Sequence, residues 1–374
     1  MQNNPSICFV AHNAFGAMVG ENKKHIGGIE RQQALMSKWL AANTDFKVSM
    51  ITWDEGQDDE IEISGIKIYK MCSKESGIRG LRFFYPRWSS LMLAFKRANA
   101  DIYYYNCGDL GLGQVVLWAH WNKKKVIYSV AHEIDCIPPF PALKQYRERV
   151  LYRYGLLMSD CIIVQTQKQK ELLKEYFKID STHIPMPCEG FVNSKATWKE
   201  PDGIRHIIWV GRLAVQKRLE WFLDIAESFP YITFDVIGAA NVETVYSSML
   251  IERAKRIKNV ILHGRITHSE IKNYYSKAYL LCSTSALEGF PNVFLEAWSM
   301  GIPVISTFDP DNVIEKFGLG RVSNNVVGLV EAIKHFNNSY SEWEKASLSS
   351  QKYYLKNHTI EVTMPLFERV FKEV

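Results

Sequence analysis

The sequence lacks any apolar run long enough to span a bilayer. A membrane-spanning helix needs about 18 or more consecutive apolar residues, and the longest runs here fall well short of that. Residues 1–13 also lack the basic region and long apolar core that mark a secretory signal peptide. We therefore expect a cytoplasmic protein.

The seven cysteines offer neither a disulfide framework nor a metal site. Their number is odd, and no two have the spacing of a zinc-binding pair. Cys161 and Cys282 lie in apolar runs, which is typical of buried thiols in a reducing compartment. The acidic pair Asp58-Asp59 lies within the charged stretch 54–62, which we interpret as a solvated turn. We expect neither a metal ion nor a cofactor.

The charge balance argues against a nucleic-acid partner. The 45 Lys and Arg exceed the 40 Asp and Glu by only five, whereas nucleic-acid-binding domains usually carry a strong basic patch. Hydrophobic residues make up 47% of the chain, which is enough to fill two cores. The length of 374 residues itself favours two domains.

Short apolar segments alternate with helical patterns along the first half of the chain. The pattern predicts strands at residues 7–10, 48–52, 66–70, 102–105, 125–130 and 161–165. It predicts helices at residues 28–42, 81–98, 144–158 and 167–177. Apolar strands separated by helices indicate a parallel sheet that is covered on both faces.

A Pro- and Gly-rich stretch, residues 183–203, interrupts this pattern and is the best linker candidate. A second alternation follows, with strands predicted at 206–210, 233–237, 260–263, 279–282 and 303–306. Its helices are predicted at 219–229, 244–257, 269–276, 292–300, 326–335 and 341–374. We assign 1–190 to an N-terminal domain and 191–354 to a C-terminal domain, with a helix at 355–374 returning to the first.

The segment that follows the predicted strand 279–282 carries two carboxylates. Glu288 lies in a Gly/Pro-containing loop, and Glu296 lies within the next predicted helix. A carboxylate accepts hydrogen bonds from paired hydroxyls, so it suits a sugar or a ribose. The free N–H groups of a helix N-terminus suit phosphate or sugar oxygens. Taken singly, each glutamate is more typical of a solvent-exposed charge.

Three further elements follow predicted strands and precede helices. Gly211, Arg212 and Lys217 lie in one loop, where two cations can converge on a diphosphate and the glycine permits close approach. Gly27 and Gly28 open a helix, which suits a phosphate at its N-terminus, although a plain turn remains the alternative. His132 ends a predicted strand, and a structural buried histidine is the competing interpretation. The insert 12–26, with Lys23, Lys24 and His25, is a candidate flap.

The segment around Glu288 resembles the Glu-x7-Glu motif of glycosyltransferase family 4, whose members have the GT-B fold. The resemblance implies that Glu288 lies by the donor sugar and that Glu296 holds the ribose hydroxyls of the donor. The backbone around the sugar and diphosphate would come from Gly289, Phe290, Pro291 and Asn292. The resemblance is specific over roughly residues 205–306, whereas residues 45–125, a region that shapes the acceptor site in this family, match no motif.

The other elements resemble further motifs of the same family. By that resemblance Arg212 and Lys217 grip the donor phosphates, His132 contacts the donor sugar, and the Gly27-Gly28 loop faces the phosphate and the acceptor. Arg218 stands where many relatives have glycine, which puts the local loop shape in doubt. Backbone groups of Arg265 and Ile266 would hold the base.

The resemblance also implies an architecture and a reaction. It implies two Rossmann-like, doubly wound parallel-sheet domains of α/β class that face a central cleft. It implies transfer from a nucleotide sugar with retention of configuration, by front-face attack assisted by the leaving phosphate. The acceptor would be a glycan or a lipid-linked sugar in cell-surface polysaccharide or glycolipid synthesis. Cations and helix N-termini would stabilise the departing diphosphate without a metal ion.

Residues 76–100 combine five basic side chains with interleaved aromatic and aliphatic ones and contain no acid. Such a segment can lie on an anionic membrane, so contact of residues 79–97 with the inner face of the cell membrane is one hypothesis. The other is an ordinary amphipathic helix that packs on the first domain with a basic outer face.

Two other classes of function share this architecture. A nucleotide-sugar epimerase can have the same two-domain fold, and a glycosyltransferase-like subunit can bind a partner without catalysis. The combination of Arg212, Lys217, Glu288 and Glu296 favours transfer over epimerisation. The presence of His132, Arg212, Lys217 and Glu288 argues against a subunit without catalysis.

Overall fold

The computed structural model describes residues 4–20, 26–191, 196, 198, 203–240 and 242–374. The candidate flap residues Lys23, Lys24 and His25 and part of the predicted linker lie outside these ranges. The chain divides into two compact units, of which the first runs to Pro187 and takes in Thr363–Val374. The second comprises Cys188–Val362. The division falls at 187/188, three residues before the predicted boundary.

The first unit is built on an eight-stranded sheet with the order β3-β4-β2-β1-β5-β6-β7-β8. Its strands are β1 Ser6–Val10, β2 Lys47–Thr52, β3 Glu60–Ile63, β4 Ile66–Lys70, β5 Ile102–Tyr105, β6 Lys125–Ser129, β7 Cys161–Val164 and β8 Thr182–His183. All pairs are parallel except β3 with β4. The central strands are buried on both faces, which explains their continuous apolar runs.

Helices cover this sheet. They are α1 Phe15–Val19, α2 Gly28–Asn43, α3 Ser89–Ala98, α4 Gly111–Trp121, α5 Tyr146–Met158 and α6 Gln167–Phe177. The core beneath them is rich in tyrosine, and three consecutive tyrosines of β5, Tyr103, Tyr104 and Tyr105, are all buried.

Three sequence predictions for this unit need correction. Asp58 and Asp59 are exposed and lie outside the strands, as expected of a solvated turn, but the acidic stretch around them ends in a strand, because β3 pairs Glu60–Ile63 with β4 as an antiparallel edge strand. The helix predicted at 81–98 is broken, because Pro86 disfavours helical geometry at Tyr85, whose backbone is extended (φ −134°, ψ 124°). Cys161 is half-buried, although the apolar run predicted a buried thiol.

The sequence analysis also missed α4, which lies between β5 and β6. Eight of its eleven residues are buried, so it lacks the one-sided apolar pattern by which a surface helix is found. Its Gly113 lies against α5, and a Cβ there would be 2.3 Å from the Leu151 carbonyl oxygen. Gly155 of α5 makes the reciprocal close approach to the Gly113 nitrogen. The pair of glycines lets the two helices pack backbone to backbone.

The second unit has a six-stranded, all-parallel sheet with the order β11-β10-β9-β12-β13-β14. Its strands are β9 Arg205–Val210, β10 Ile232–Ile237, β11 Val260–Gly264, β12 Ala278–Ser283, β13 Val304–Ser306 and β14 Gly320–Val322. The flanking helices are α7 Leu219–Glu227, α8 Val245–Arg256, α9 His268–Tyr275, α10 Asn292–Ser299, α11 Val313–Phe317 and α12 Val326–Asn338. Their bounds agree with the predicted alternation to within a few residues, except that β14 and α11 were missed.

The C-terminal region forms two helices rather than one. Helix α13 spans Tyr340–Asn357 and belongs to the second unit, and α14 spans Ile360–Glu373. Residues 363–374 pack within the first unit, where Phe371 contacts Phe46 and Tyr104 at ring-centroid distances of 6.5 and 5.7 Å. The helix that returns to the first unit begins at Ile360 and not at residue 355 as predicted, because residues 355–357 belong to the last turn of α13.

Candidate functional site

The predicted donor-binding loops of the second unit meet at one edge of its sheet. Strands β9 and β12 are parallel neighbours, so the loops that follow them leave from the same edge. The Ala286 N–H donates to the Gln216 carbonyl oxygen at 2.7 Å. The Thr284 hydroxyl donates to the Lys217 carbonyl oxygen at 2.8 Å and accepts from the Trp209 indole at 3.1 Å. These bonds fix the basic loop and the Glu288 loop against each other.

The structure brings Lys217 and Glu288 into direct contact. The Lys217 ammonium group donates to Glu288 Oε1, and the two side chains are only 17% and 12% exposed. A charge withdrawn from water needs such a partner, because desolvation penalises an isolated ion. The family resemblance assigns Lys217 to the donor phosphates and Glu288 to the donor sugar. Their contact shows in addition that each side chain orients the other.

Arg218 adopts a backbone conformation that favours glycine, and its side chain makes contacts that a glycine could not. Its backbone is in the left-handed region at φ 46°, where a side chain raises the energy by about 1–2 kcal/mol. The guanidinium group donates to the Thr284 and Ser285 carbonyl oxygens at 2.8 and 3.0 Å. It also lies over the Trp221 ring, 4.1 Å from the centroid. Arg218 thus ties the basic loop to the Glu288 loop, a role that the sequence analysis missed.

Substitutions of Arg218 separate these contacts from its backbone strain. We expect Arg218→Ala to lower the free energy of unfolding by about 2 kcal/mol, because two charge-assisted hydrogen bonds are lost. Arg218→Gly loses the same bonds but relieves the left-handed backbone, so its loss is smaller by about 1 kcal/mol. Urea unfolding of both variants measures the difference, and equal losses would contradict a strained backbone.

Arg212 is a half-buried cation without a counter-charge in the described part of the chain. It follows Gly211, whose N–H donates to the Ile237 carbonyl oxygen at 3.0 Å at the end of β10. Gly238 makes this approach possible, since it has φ 138° and any Cβ there would collide with the Gly211 carbonyl oxygen. Sequence reasoning overlooked Gly238, although a glycine directly after a strand is a signal for close backbone approach.

Glu296 is a buried carboxylate on α10, only 6% exposed. The Tyr275 hydroxyl donates to its Oε2 atom at 2.8 Å. The Tyr275 ring packs against Phe191, with centroids 5.2 Å apart. Glu296 is therefore held in one orientation rather than being a solvent-exposed helix charge.

The loop before α10 is packed into the core of the second unit. Phe290 is 8% exposed, and its ring lies 5.0 Å from the His358 ring. Its side chain therefore anchors the loop. Gly289 and Pro291, on either side of it, are buried as well, and the half-buried Asn292 begins α10, whose first N–H groups have no partner within the helix.

Arg265 and Ile266 follow β11 on the far side of β10. Arg265 is exposed and Ile266 is half-buried. The preceding Gly264 carbonyl oxygen accepts from the Gly238 N–H at 2.7 Å, which joins this loop to the end of β10. The predicted contacts of the second unit therefore follow three strands, β11, β9 and β12, and β10 lies between β11 and β9.

The predicted residues of the first unit also lie at the carboxyl edge of its sheet or at a helix start. Helix α2 begins at Gly28 after Gly27, and a side chain at Gly27 would collide with the Glu30 carboxylate. His132 follows β6, and its N–H donates to Asp135 Oδ2 at 2.9 Å. Burial raises the pKa of Asp135, and the neighbouring His132 opposes that rise. The His132 Nδ1 atom is buried and has no hydrogen-bond partner in the described residues.

The described residues hold no group of three or more His, Cys, Asp or Glu that could bind a metal ion. Asp309 and Asp311 have the spacing of an Asp-x-Asp pair, which the sequence analysis overlooked. The Asp309 carboxylate instead accepts the N–H groups of Ile314 and Glu315 at 2.8 and 3.2 Å at the start of α11. Within the same ranges, no helix is long and apolar enough to cross a membrane.

Comparison with known proteins places a family domain over the second unit. Residues 204–338, about a third of the chain, match the model described as Glycosyl transferases group 1. The chain is 26% identical over 154 residues to the GtfA subunit of a UDP-N-acetylglucosamine–peptide N-acetylglucosaminyltransferase from Streptococcus pneumoniae, covering 39% of this chain and 30% of that protein. It is 23% identical over 255 residues to the O-antigen chain mannosyltransferase RfbU of Salmonella typhimurium, covering 60% and 71%. The chain spans less than half of the length of GtfA.

Solved structures match over nearly the whole chain. Sucrose-phosphate synthase from Thermosynechococcus elongatus superposes with a TM-score of 0.80 at 15% identity, covering 99% of this chain and 98% of that one. Anabaena HepE, described as a complex with UDP and glucose, gives 0.74 at 14% identity, covering 98% and 99%. The predicted fold class, two parallel-sheet α/β domains of GT-B type, is confirmed. Together with the domain match, it supports a glycosyltransferase with the GT-B fold.

Proposed function

We propose that this chain transfers a sugar from a nucleoside diphosphate sugar to a glycan or lipid-linked acceptor, in the assembly of a cell-surface polysaccharide or glycolipid. The observation that carries the proposal lies inside the matched domain: Lys217 pairs with Glu288, and Arg212, in the same loop as Lys217, has no carboxylate partner among the described residues. HepE in complex with UDP and glucose, and the mannosyltransferase name of RfbU, support the donor class and the product class.

The charges suit departure of a diphosphate. When the glycosidic bond to the donor breaks, negative charge grows on the leaving phosphate oxygens. Arg212, half-buried and without a carboxylate partner in the described residues, is preorganised to stabilise that charge. Lys217 lies in the same loop as Arg212, and its contact with Glu288 fixes the position of its ammonium group. Glu288 and His132 are proposed to contact the donor sugar, and Glu296 the ribose.

A panel of nucleotide sugars tests the proposal directly. Each is incubated with the full chain and a mixture of glycan and lipid-linked sugar acceptors, and release of nucleoside diphosphate is followed. We expect one donor to raise the melting temperature, because a ligand of the native state stabilises it. The same donor should yield diphosphate and a glycosylated product. A new nucleotide sugar in place of diphosphate would indicate an epimerase, and no shift or turnover with any donor would contradict the proposal.

We propose further that transfer needs no metal and retains configuration at the anomeric carbon. Fixed cations can supply the charge stabilisation that a divalent ion gives elsewhere. We expect the rate to be unchanged, to within about twofold, after dialysis against EDTA, because Arg212 and Lys217 remain in place. Loss of activity with EDTA and its return with Mg²⁺ or Mn²⁺ would contradict this. NMR of the fresh product determines the anomeric configuration.

Peripheral membrane contact is part of the proposal, now restricted to a shorter segment. Helix α3 is an ordinary packed helix, with Leu91, Ala94 and Phe95 buried. Residues 78–85, which precede it, are different: Ile78, Leu81, Phe84 and Tyr85 are 63–75% exposed. Arg79 and Arg82 lie among them. Large exposed apolar side chains interleaved with cations suit an anionic lipid surface.

Vesicle co-sedimentation tests the 78–85 segment. We expect the chain to bind vesicles at low salt when about a third of their lipid is anionic, because such vesicles carry a negative surface potential. The double variant Leu81→Ser/Phe84→Ser should not bind, because the apolar side chains that would insert into the lipid are gone. Tyr231→Ser removes a 93% exposed ring in the second unit and is the matched control. Equal binding by the double variant and the control would contradict this contact.

A further inference from the structure

A closed set of contacts supports Glu296, the carboxylate proposed above to contact the donor ribose. Tyr275 is the last residue of α9 and is fully buried, and its hydroxyl donates to Glu296 Oε2 at 2.8 Å. Phe191 is only 7% exposed, and its ring lies 5.2 Å from the Tyr275 ring. The carboxylate of α10 is therefore joined to the end of α9, and the joining side chain is itself packed against an aromatic ring.

Phe191 is also bound to the helix that carries Glu296. The Phe191 N–H donates to Ser299 Oγ at 3.1 Å, and the Ser299 hydroxyl donates to the Glu296 carbonyl oxygen at 2.6 Å. Phe191 thus contacts the Tyr275 ring through its side chain and the last turn of α10 through its backbone. We call Phe191, Tyr275 and Ser299 the Glu296 support. Because the support contacts both the backbone and the carboxylate of Glu296, it restricts where that carboxylate can lie.

The segment before Phe191 is held by the end of α13. Gly190 has φ 62°, and any Cβ there would collide with the Tyr354 hydroxyl. That hydroxyl donates to the Cys188 carbonyl oxygen at 2.8 Å, and the Cys188 N–H donates to the His358 carbonyl oxygen at 2.9 Å. All of these residues belong to the second unit, so the position of Phe191 is fixed by contacts within that unit.

An oriented carboxylate binds hydroxyl groups more tightly than a mobile one. A glutamate side chain has several rotatable bonds, and immobilising such a side chain when a ligand binds lowers the affinity. A side chain that folding has already fixed does not lose that freedom again. The group that fixes a ligand-binding side chain therefore contributes to affinity without contacting the ligand.

We propose that Tyr275 is a positioning residue that holds the Glu296 carboxylate ready for the ribose hydroxyls of the donor, and that Phe191 in turn holds the Tyr275 ring. This inference rests on the proposed function and names the residues that determine its preference for a ribose. Tyr275 acts through Glu296, so loss of its hydroxyl weakens the contact with the ribose. The contacts proposed between the diphosphate and Arg212 and Lys217 do not depend on it.

The competing explanation is that Tyr275 only fills space in the core. Tyr275→Phe would then change stability, or weaken the binding of every nucleotide by the same factor. Tyr279→Phe is the matched control, because Tyr279 is also fully buried in the second unit and its hydroxyl has no hydrogen-bond partner among the described residues. Both substitutions remove one oxygen atom from a buried ring, but only Tyr275→Phe removes a donor from Glu296.

Isothermal titration calorimetry on the full chain compares nucleotides with and without ribose hydroxyls. The probes are UDP, GDP and ADP and their 2′,3′-dideoxy counterparts. We expect the wild type and Tyr279→Phe to bind one of the three at least about tenfold more tightly than its dideoxy counterpart, which lacks the hydroxyls that donate to a charged group. Tyr275→Phe should lower this ratio at least about fivefold, or about 1 kcal/mol. The ribonucleotide should weaken and the dideoxynucleotide should not.

Two further variants test the same contacts independently. Phe191→Leu keeps the Tyr275 hydroxyl but removes the ring that packs against it, so the ratio should fall in this variant too, and it replaces Tyr275→Phe if that variant is poorly folded. Glu296→Gln should itself lower the preference for ribose. In the Glu296→Gln background, Tyr275→Phe should lower the ratio no further, because it acts through the carboxylate.

The outcomes separate this inference from the proposed function. If a folded Tyr275→Phe variant keeps the wild-type ratio, or binds both forms of the nucleotide equally weakly, the inference alone fails. A further fall of the ratio when Tyr275→Phe is added to Glu296→Gln would overturn it as well. If the wild type binds a nucleotide and its dideoxy counterpart equally well, the ribose assignment of Glu296 and the inference fail together. If the wild type binds no nucleotide, the proposed function fails and the inference fails with it.

Discussion

Replacing Arg212 with alanine should abolish sugar transfer while leaving the protein folded. The guanidinium group has no counter-charge in the described residues, so its removal breaks no internal ion pair. What is lost is the stabilisation of charge on the leaving diphosphate, and removal of one such preorganised group typically lowers kcat about 100- to 1000-fold. Nucleotide affinity should fall as well, because the same cation is proposed to face the diphosphate before transfer.

Release of nucleoside diphosphate and thermal unfolding, measured on the same preparation, check this expectation. Arg256→Ala is the matched control, because Arg256 is an exposed arginine in the last turn of α8. The control should keep wild-type activity. Unchanged turnover of a folded Arg212→Ala variant would remove the central cation from the proposed mechanism.

Substitutions in the Lys217–Glu288 pair should affect stability and activity differently. Lys217→Met leaves the Glu288 carboxylate, 12% exposed, without its partner. Removing one partner of a fully buried pair destabilises by about 3–5 kcal/mol, and we expect about 1–3 kcal/mol here because both groups retain some solvent. Glu288→Gln keeps an oxygen that accepts from Lys217, so its stability should stay near that of the wild type.

Both single variants should lose transfer, since one removes the cation proposed to face the phosphates and the other the carboxylate proposed beside the sugar. The double variant Lys217→Met/Glu288→Gln should regain stability relative to Lys217→Met and remain inactive. Urea unfolding and product assays on all three variants test this pattern. Recovery of activity in the double variant would mean that the pair serves only to hold the loops together.

The features that could be predicted from the sequence were those marked by a periodic pattern of apolar residues. Strands such as β6 and β12 have apolar centres and lie between helices, so their type and order followed from periodicity. Helix α4 was missed because burial on all sides removes the amphipathic pattern. The break at Tyr85 was missed although Pro86 supplied a local signal against helix.

For the candidate site, the sequence predicted the loops but not the pairing within them. Arg212, Lys217, Glu288 and Glu296 stood out because their residue types suit phosphates and hydroxyls. The contacts of Lys217 with Glu288 and of Glu296 with Tyr275 join residues 71 and 21 positions apart, and no local pattern encodes such distances. Gly238 was overlooked and Arg218 was noted only as a departure from glycine, because the close approach at Gly238 and the carbonyl contacts of Arg218 involve loops that are distant in sequence.

Because residues 363–374 pack within the first unit, the core of that unit is completed only after these residues have been synthesised. During translation, Phe46 and Tyr104 are made early, whereas Phe371 is made more than 260 residues after Tyr104 (371 − 104 = 267). Until that helix leaves the ribosome, the N-terminal half carries an uncovered aromatic surface, of the kind that chaperones bind. A ribosome that stalls late would therefore release a chain whose second unit is whole and whose first is not.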